Sequence, residues 1–429
     1  MAKEISHLSS SLWKNHDFRL LFSAQIISLL GSGVTTVGLA LFAYQLTGGV
    51  SATAVIGNAL TLRILAFLLF SQPAGVIADR VSKKRILIAA DVVRFALLAF
   101  FPFITSVWQI YVLIFAINAV TAFFTPTFES SIPEIVGGEL YVKALSLSRV
   151  ATDVEAVAAP ALAGLLVLLG LRWVFWFDAF TYLVSASLVA ATVMPYVKKK
   201  LPKISLPSFL AELTTGTRIL LREPSLRQAL TLSIAEATAG AAAIVATVSY
   251  VRDVLGRGET AFAFVMAGVG LGSSLTALAL GRATGRYEKG ARDRSILHGR
   301  RHQWASRALL GGGLVLGLVL VPDILKPPLL VFSFLWMLNG AGQALIAIPS
   351  STLLAEHTIE GERGRAYAAH FALTHLCWLA SYPAIGHASA RWGSPLTFTG
   401  AGVVCLLVTV VAMLLGYGKR DAHTHQASR

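Results

Sequence analysis

The sequence predicts an all-α integral membrane protein, with twelve transmembrane helices in two pseudo-symmetric six-helix halves. Three observations carry that reading. Of 429 residues, 55% are hydrophobic and 14% charged, with a mean hydropathy of +0.69, whereas a soluble globular chain carries roughly 25% charged residues. Apolar runs of the length a bilayer crossing needs, about 20 residues, follow one another along nearly the whole chain. The segments between them alternate between strongly basic and weakly charged, as loops on the two faces of a membrane do.

The first half, residues 1–194, holds spans at Leu20–Tyr44, Ala52–Ile77, Ile86–Ile104, Val107–Phe128, Leu145–Leu169 and Trp173–Met194. Asn15, His16, Asp17 and Arg19 interrupt the stretch ahead of the first run and no cleavage site follows, so that run is a membrane helix and not a leader peptide. The polar, basic, proline-containing segment 195–225 reads as a cytoplasmic linker. The second half, residues 226–429, holds spans at Leu226–Val251, Thr260–Leu280, Ala305–Val321, Leu329–Ser350, Ala366–Gly386 and Leu396–Gly418.

Loop charge sets the expected orientation. With the N-terminus in the cytoplasm, the inner loops collect Lys83, Lys84 and Arg85, then Lys198, Lys199, Lys200 and Lys203, then the long basic loop from Arg282 to Trp304, then Lys419 and Arg420. The outer loops hold only Arg172, Arg252, Arg257, Lys326 and Arg391. Both termini are therefore expected in the cytoplasm. The same clustering explains the net charge of +14 without nucleic acid as a partner. Cys377 and Cys405, the two cysteines, lie inside apolar runs and read as packed thiols.

A weak internal repeat supports the two halves. Arg172–Trp173 stands before the sixth span and Arg391–Trp392 before the twelfth. Pro160-Ala-Leu-Ala-Gly164 in span five parallels Pro383-Ala-Ile-Gly386 in span eleven.

Between spans two and three the chain reads Gly75-Val-Ile-Ala-Asp79-Arg80-Val-Ser-Lys83-Lys84-Arg85. This resembles the loop signature of the major facilitator superfamily, in the loop where that family carries it. The resemblance implies alternating-access transport, with Gly75, Asp79, Arg80, Lys83 and Lys84 forming a conformational gate in which Asp79 holds charged and helix-terminal partners in one state and releases them in the other. The second-half counterpart, Gly281-Arg282 to Gly285-Arg286, lacks the acid. In span five, Ala159-Pro160-Ala161-Leu162-Ala163-Gly164 is similar to the Gly-Pro-x-x-Gly-Gly pattern of the family's antiporters, with Glu155 where that pattern opens with glycine. Asn15-His-Asp-Phe-Arg-Leu-Leu-Phe22, Ala90-Asp91-Val-Val-Arg94 and Phe177-Asp178-Ala-Phe180 resemble a bacterial branch that includes siderophore and macrolide exporters. Ala368 to Pro383 looks like nickel- and cobalt-resistance exporters within that branch.

Ionisable groups at bilayer depth are costly, and they are paired or functional. Glu236 lies about ten residues into span seven, His375 at similar depth in span eleven, and His370 nearer the cytoplasm. Glu155 and Asp153 lie in the inner half of span five, and Arg63 near the middle of span two. Glu236, His375, His370, Glu155, Asp153 and Arg63 are the candidates for substrate and proton coupling. Arg63 reads either as an electrostatic guard or as the partner of Asp153 or Glu155. Asp91 and Arg94 form an i, i+3 pair that reads as structural, as does Asp178. His370 and His375 are five residues apart and point about 140° from each other, so one at most faces a given site. A hydrogen bond to a neighbouring helix would account for Glu236 or either histidine equally well.

The expected activity is proton-coupled export by alternating access. Imidazole and carboxylate suit a divalent transition metal such as nickel or cobalt, with His375, His370 and Glu236 as ligands. Protons compete with metal for such groups, and exporting a 2+ ion costs about 4.6 kcal/mol per 100 mV, twice the single-charge value. The alternative cargo is an organic solute, a siderophore or drug, in an aromatic-lined cavity. A membrane-embedded enzyme or receptor is a further class, but His-Glu-x-x-His, Gly-x-Ser-x-Gly and a phosphate-binding Gly-rich loop with Lys are all missing from the chain. The expected setting is a monomer in a bacterial cytoplasmic membrane, with the bilayer, protons and a small solute or metal ion as partners and no cofactor.

Overall fold

The computed structural model describes residues 12–78, 81–194, 206–290, 294–358 and 363–417. Among the described residues run thirteen α-helices and no strand: α1 (His16–Thr47), α2 (Gly49–Ala78), α3 (Lys83–Ala99), α4 (Val107–Val136), α5 (Gly138–Leu169), α6 (Leu171–Ala191), α7 (Leu206–Arg222), α8 (Pro224–Ser249), α9 (Glu259–Gly290), α10 (Arg294–Leu320), α11 (Leu329–Glu356), α12 (Arg363–Trp392) and α13 (Ser394–Tyr417). Twelve of them coincide with the twelve predicted spans. A helix satisfies its own backbone groups, which is why hydrocarbon accepts it. Ten contain a stretch long and apolar enough to cross a membrane. The other two are α5, whose apolar stretch among the described residues is Ala158–Leu169, and α12, which carries His370 and His375.

The helices run further than the apolar pattern. Lys83, Lys84 and Arg85, predicted in a loop, form the first turn of α3. The predicted linker 195–225 contains α7, and the predicted basic loop from Arg282 to Trp304 is helical on both sides of residues 291–293. Hydropathy locates where a helix meets hydrocarbon, not where its hydrogen bonds stop, and Lys and Arg are good helix formers.

Two compact units divide the chain: residues Met1–Gly48 with Asn58–Lys203, and Gly49–Gly57 with Ile204–Arg429. In the first, α1 packs on α5 and α6, and α3 on α4 and α6. In the second, α8 packs on α12 and α13, and α10 on α11 and α13. The two packing schemes are the same under a shift of seven helices, so the internal repeat is one of architecture. Each proline noted in spans five and eleven lies ten residues before a positive-φ glycine that follows the last residue or residues of its helix: Pro160 before Gly170, Pro383 before Gly393. The Arg-Trp pairs do not obey that register. Arg172–Trp173 follow their glycine, in the first turn of α6, whereas Arg391–Trp392 precede theirs, in the last turn of α12.

Local caps set the helix starts. The Asn15 side chain accepts from the Phe18 amide at 3.0 Å and donates to Ile135 O at 2.9 Å, and Asp17 Oδ1 accepts from the Val193 amide at 2.8 Å. The Asn15-His-Asp segment is thus an N-cap that also ties α1 to α4 and to the end of α6. Within the first unit, Phe42, Phe101 and Phe175 pack together as one aromatic cluster. Within the second, Tyr250, Phe332, Trp336 and Phe398 do the same, with Trp336 Nε1 donating to Thr247 Oγ1 at 2.9 Å. Leu165, Leu168, Leu314, Leu318, Leu407 and Leu414 are exposed, a surface suited to lipid and not to water.

Candidate functional site

In the first unit, three helices bring polar groups together at mid-span. Glu155 of α5 is half-buried and sits directly against Gly33 of α1, where an added Cβ would collide with its carboxylate. Arg63 of α2 acts on Glu155 through its charge. Arg63 also donates from Nη1 to Thr36 Oγ1 of α1 at 3.4 Å. The guanidinium is exposed. Arg63 is thus within electrostatic reach of Glu155, one of the two acids named for it. Asp153 lies in α5, with its side chain outside the described residues.

In the second unit, the candidates gather along α8 and α12. Glu236 of α8 is close enough to Cys377 of α12 for its charge to act on the thiol. His375 shares a hydrogen bond between Nδ1 and Phe371 O at 2.8 Å and stacks on the Phe371 ring with centroids 3.8 Å apart. His370 Nε2 is buried and has no hydrogen-bond partner among the described residues. Among those residues no three His, Cys, Asp or Glu side chains come together to hold a metal ion. Both cysteines are free thiols, and buried Cys405 donates to Ala235 O at 3.4 Å.

One feature of this unit has no counterpart among the charged candidates. Trp378 of α12 presses on Gly240 of α8, where a Cβ would meet the indole, and pairs with Tyr382 at 5.2 Å. Trp378 and Glu155 each lie five residues before the proline of their helix, so the position that is acidic in one half is aromatic in the other. Its signals in the sequence were the Pro160/Pro383 register and Gly240 within an alanine run.

The gate motif is partly placed. Lys83 donates from Nζ to Glu134 Oε1 at 2.8 Å and to Ser130 O at 2.6 Å, and Lys84 donates to Thr192 O at 2.8 Å. The two lysines fasten the start of α3 to α4 and to the end of α6. Gly75 lies near the end of α2. Asp79 and Arg80 lie outside the described residues.

Asp91 and Arg94 form a buried pair, as the i, i+3 spacing predicted. Arg94 bridges to Asp91 and lies over the rings of Phe124 and Tyr182, at 4.2 and 4.3 Å, while Ser185 donates to Asp91 at 2.7 Å. Asp178 accepts from Thr181 Oγ1 at 3.2 Å.

The sequence profile of the Major Facilitator Superfamily matches residues 21–292 and again 230–429. The chain belongs to the Major Facilitator Superfamily. Among curated relatives, macrolide efflux protein A of Streptococcus pyogenes is 25% identical over 210 residues, 47% of this chain and 51% of that protein. The chain thus spans about half the length of that relative. The uncharacterized MFS-type transporter YfiS of Bacillus subtilis is 23% identical over 420 residues, 95% of this chain and 94% of that one. Among solved structures, a bacterial homolog of the human lysosomal transporter Spinster, in an inward-facing and occupied conformation, superposes with a TM-score of 0.72 over 93% of this chain and 96% of that one, at 14% identity. As a likeness of fold, it agrees with the two repeated six-helix packings.

Proposed function

We propose that the chain exports an amphipathic organic solute across a bacterial cytoplasmic membrane in exchange for protons, as a monomer with both termini in the cytoplasm. The observation that carries this reading is the Glu155–Arg63–Thr36 group, a carboxylate and an exposed guanidinium drawn from three helices at bilayer depth. A charge at that depth is retained for function or by pairing, and here opposite charges stand within electrostatic reach of each other. A proton on Glu155 removes its attraction to Arg63, and the loss of that proton restores it. Protonation therefore biases any two states that differ in the Arg63–Glu155 distance. Each proton entering supplies about 2.3 kcal/mol per 100 mV.

The organic cargo is favoured over a metal ion by two further observations. Trp378 and Tyr382 form an aromatic pair on α12, next in sequence to Cys377 and packed on Gly240 of α8, the helix that carries Glu236, the kind of surface that takes apolar ligands with a few polar contacts. The similarity to macrolide efflux proteins points the same way and favours export. A nickel or cobalt cargo would require ligands from His375, His370 and Glu236, which do not form a three-ligand group among the described residues.

The test is expression in cells lacking their own exporters, with erythromycin and nickel tolerance measured for wild type and Glu155→Gln. Raised erythromycin tolerance that disappears in Glu155→Gln is the expected result. Raised nickel tolerance alone would overturn the cargo and leave a transporter. Full activity of a well-expressed Glu155→Gln protein would remove the proton role.

A further inference from the structure

The first unit carries a groove of about 660 Å³ between α3, α5 and α6. Phe95 of α3, Leu166 of α5 and Trp173, Trp176 and Phe180 of α6 line it, and Arg172 is the charged residue among its lining. Arg172, Trp176 and Phe180 recur at i, i+4 and i+8, so they form one stripe along α6. The stripe runs about 12 Å from the guanidinium to the Phe180 ring at 1.5 Å per residue, most of one leaflet of a hydrocarbon core about 30 Å thick. Trp173 and Phe180 are 55% and 60% exposed, so the groove opens on the surface that faces lipid. Arg172 is exposed and has no ion pair or hydrogen bond among the described residues.

We propose that this groove is a binding site for one phospholipid with a net anionic headgroup, its phosphate on Arg172 and an acyl chain along the Trp176–Phe180 stripe. Three features select this occupant. Lipid is the solvent around this face, and beyond Arg172 the lining offers an organic solute only the indole N–H groups of Trp173 and Trp176. Arginine pairs with phosphate through two parallel hydrogen bonds. Tryptophans beside it match the depth at which indoles settle in a bilayer, at the headgroup boundary. An anionic headgroup leaves the guanidinium neutralised, which a zwitterionic one does not.

The test uses the full-length protein, delipidated in detergent and given palmitoyl-oleoyl phosphatidylglycerol or phosphatidylcholine, with retained lipid counted by native mass spectrometry. Wild type is expected to hold one phosphatidylglycerol per chain roughly tenfold more tightly than phosphatidylcholine, the worth of one charge-assisted contact. Arg172→Ala abolishes that preference, and Arg172→Lys keeps part of it. Leu166→Trp, which fills the groove and leaves the charge, lowers retention of both lipids and keeps the test open if Arg172→Ala does not fold. A folded Arg172→Ala protein with the wild-type preference, or unchanged retention in Leu166→Trp, would overturn the assignment. Erythromycin displacing the bound phosphatidylglycerol one for one would also overturn it, by making the groove a solute site.

Discussion

The Glu155 carboxylate rests on the bare backbone of Gly33, close enough that any side chain at that glycine would displace it. Helix α5 can bring an acid to α1 only because α1 has no Cβ there. Gly33→Ala must therefore move Glu155 or part the two helices. Overpacking of this kind costs about 1–3 kcal/mol. We expect a lowered thermal midpoint in detergent and loss of export. Because Ala159 also borders Gly33, Glu155→Ala should relieve only part of the penalty. An unchanged midpoint in Gly33→Ala would show that the contact is not tight.

Arg63 and Glu155 should be coupled in stability as well as in function. Arg63→Ala leaves the acid without its opposing charge, and adding Glu155→Gln removes the need for one. A double-mutant cycle on thermal midpoints is expected to give an interaction of about 0.5 kcal/mol or more. Neither variant should sustain proton flux driven by substrate in proteoliposomes. Additive midpoints would mean that the two charges do not act on each other.

The Asp91–Arg94 pair is fully enclosed, with Asp91 0% and Arg94 2% exposed. Arg94→Ala strands a carboxylate in the bundle and should cost about 3–5 kcal/mol, seen as loss of the folded peak in size-exclusion chromatography. Asp91→Asn together with Arg94→Met removes both charges and should recover much of the folded protein. Equal losses in the single and double variants would assign the cost to packing around Phe124 and Tyr182 instead.

Helices α9 and α11 cross on glycines. A Cβ at Gly272 would strike the backbone of Met337, and one at Gly340 would strike that of Val269. Small residues allow this approach, and van der Waals packing supplies the attraction that hydrocarbon solvent does not. Gly272→Ala and Gly340→Ala should each lower the thermal midpoint, while Gly281→Ala, with open space around it, should leave it near wild type. Similar midpoints for all three would argue against a close crossing.

The readable parts of the fold share a physical basis. Each apolar run is a local property, and so is the i, i+3 pairing of Asp91 with Arg94. The positions misread, such as Lys83 and Lys84 in a loop, were those where a helix continues beyond hydrocarbon and hydropathy falls silent. The candidate site was half legible. Glu155, Arg63 and Glu236 stood out because charges are rare in membrane helices. Thr36, Gly33, Gly240 and Trp378 did not, because a threonine, a glycine or a tryptophan in a membrane helix is ordinary until its neighbour is known.

By itself the sequence determined an all-helical membrane chain, its twelve spans and their order, since a helix in lipid must satisfy its own backbone and needs no partner to declare itself. Tertiary structure alone decided that Arg63 reaches Thr36 within electrostatic range of Glu155, that Gly33 seats the acid, and that the matching place in the other half belongs to Trp378. Those outcomes depend on how side-chain volumes interlock between helices distant in the chain, a relation that no single helix encodes.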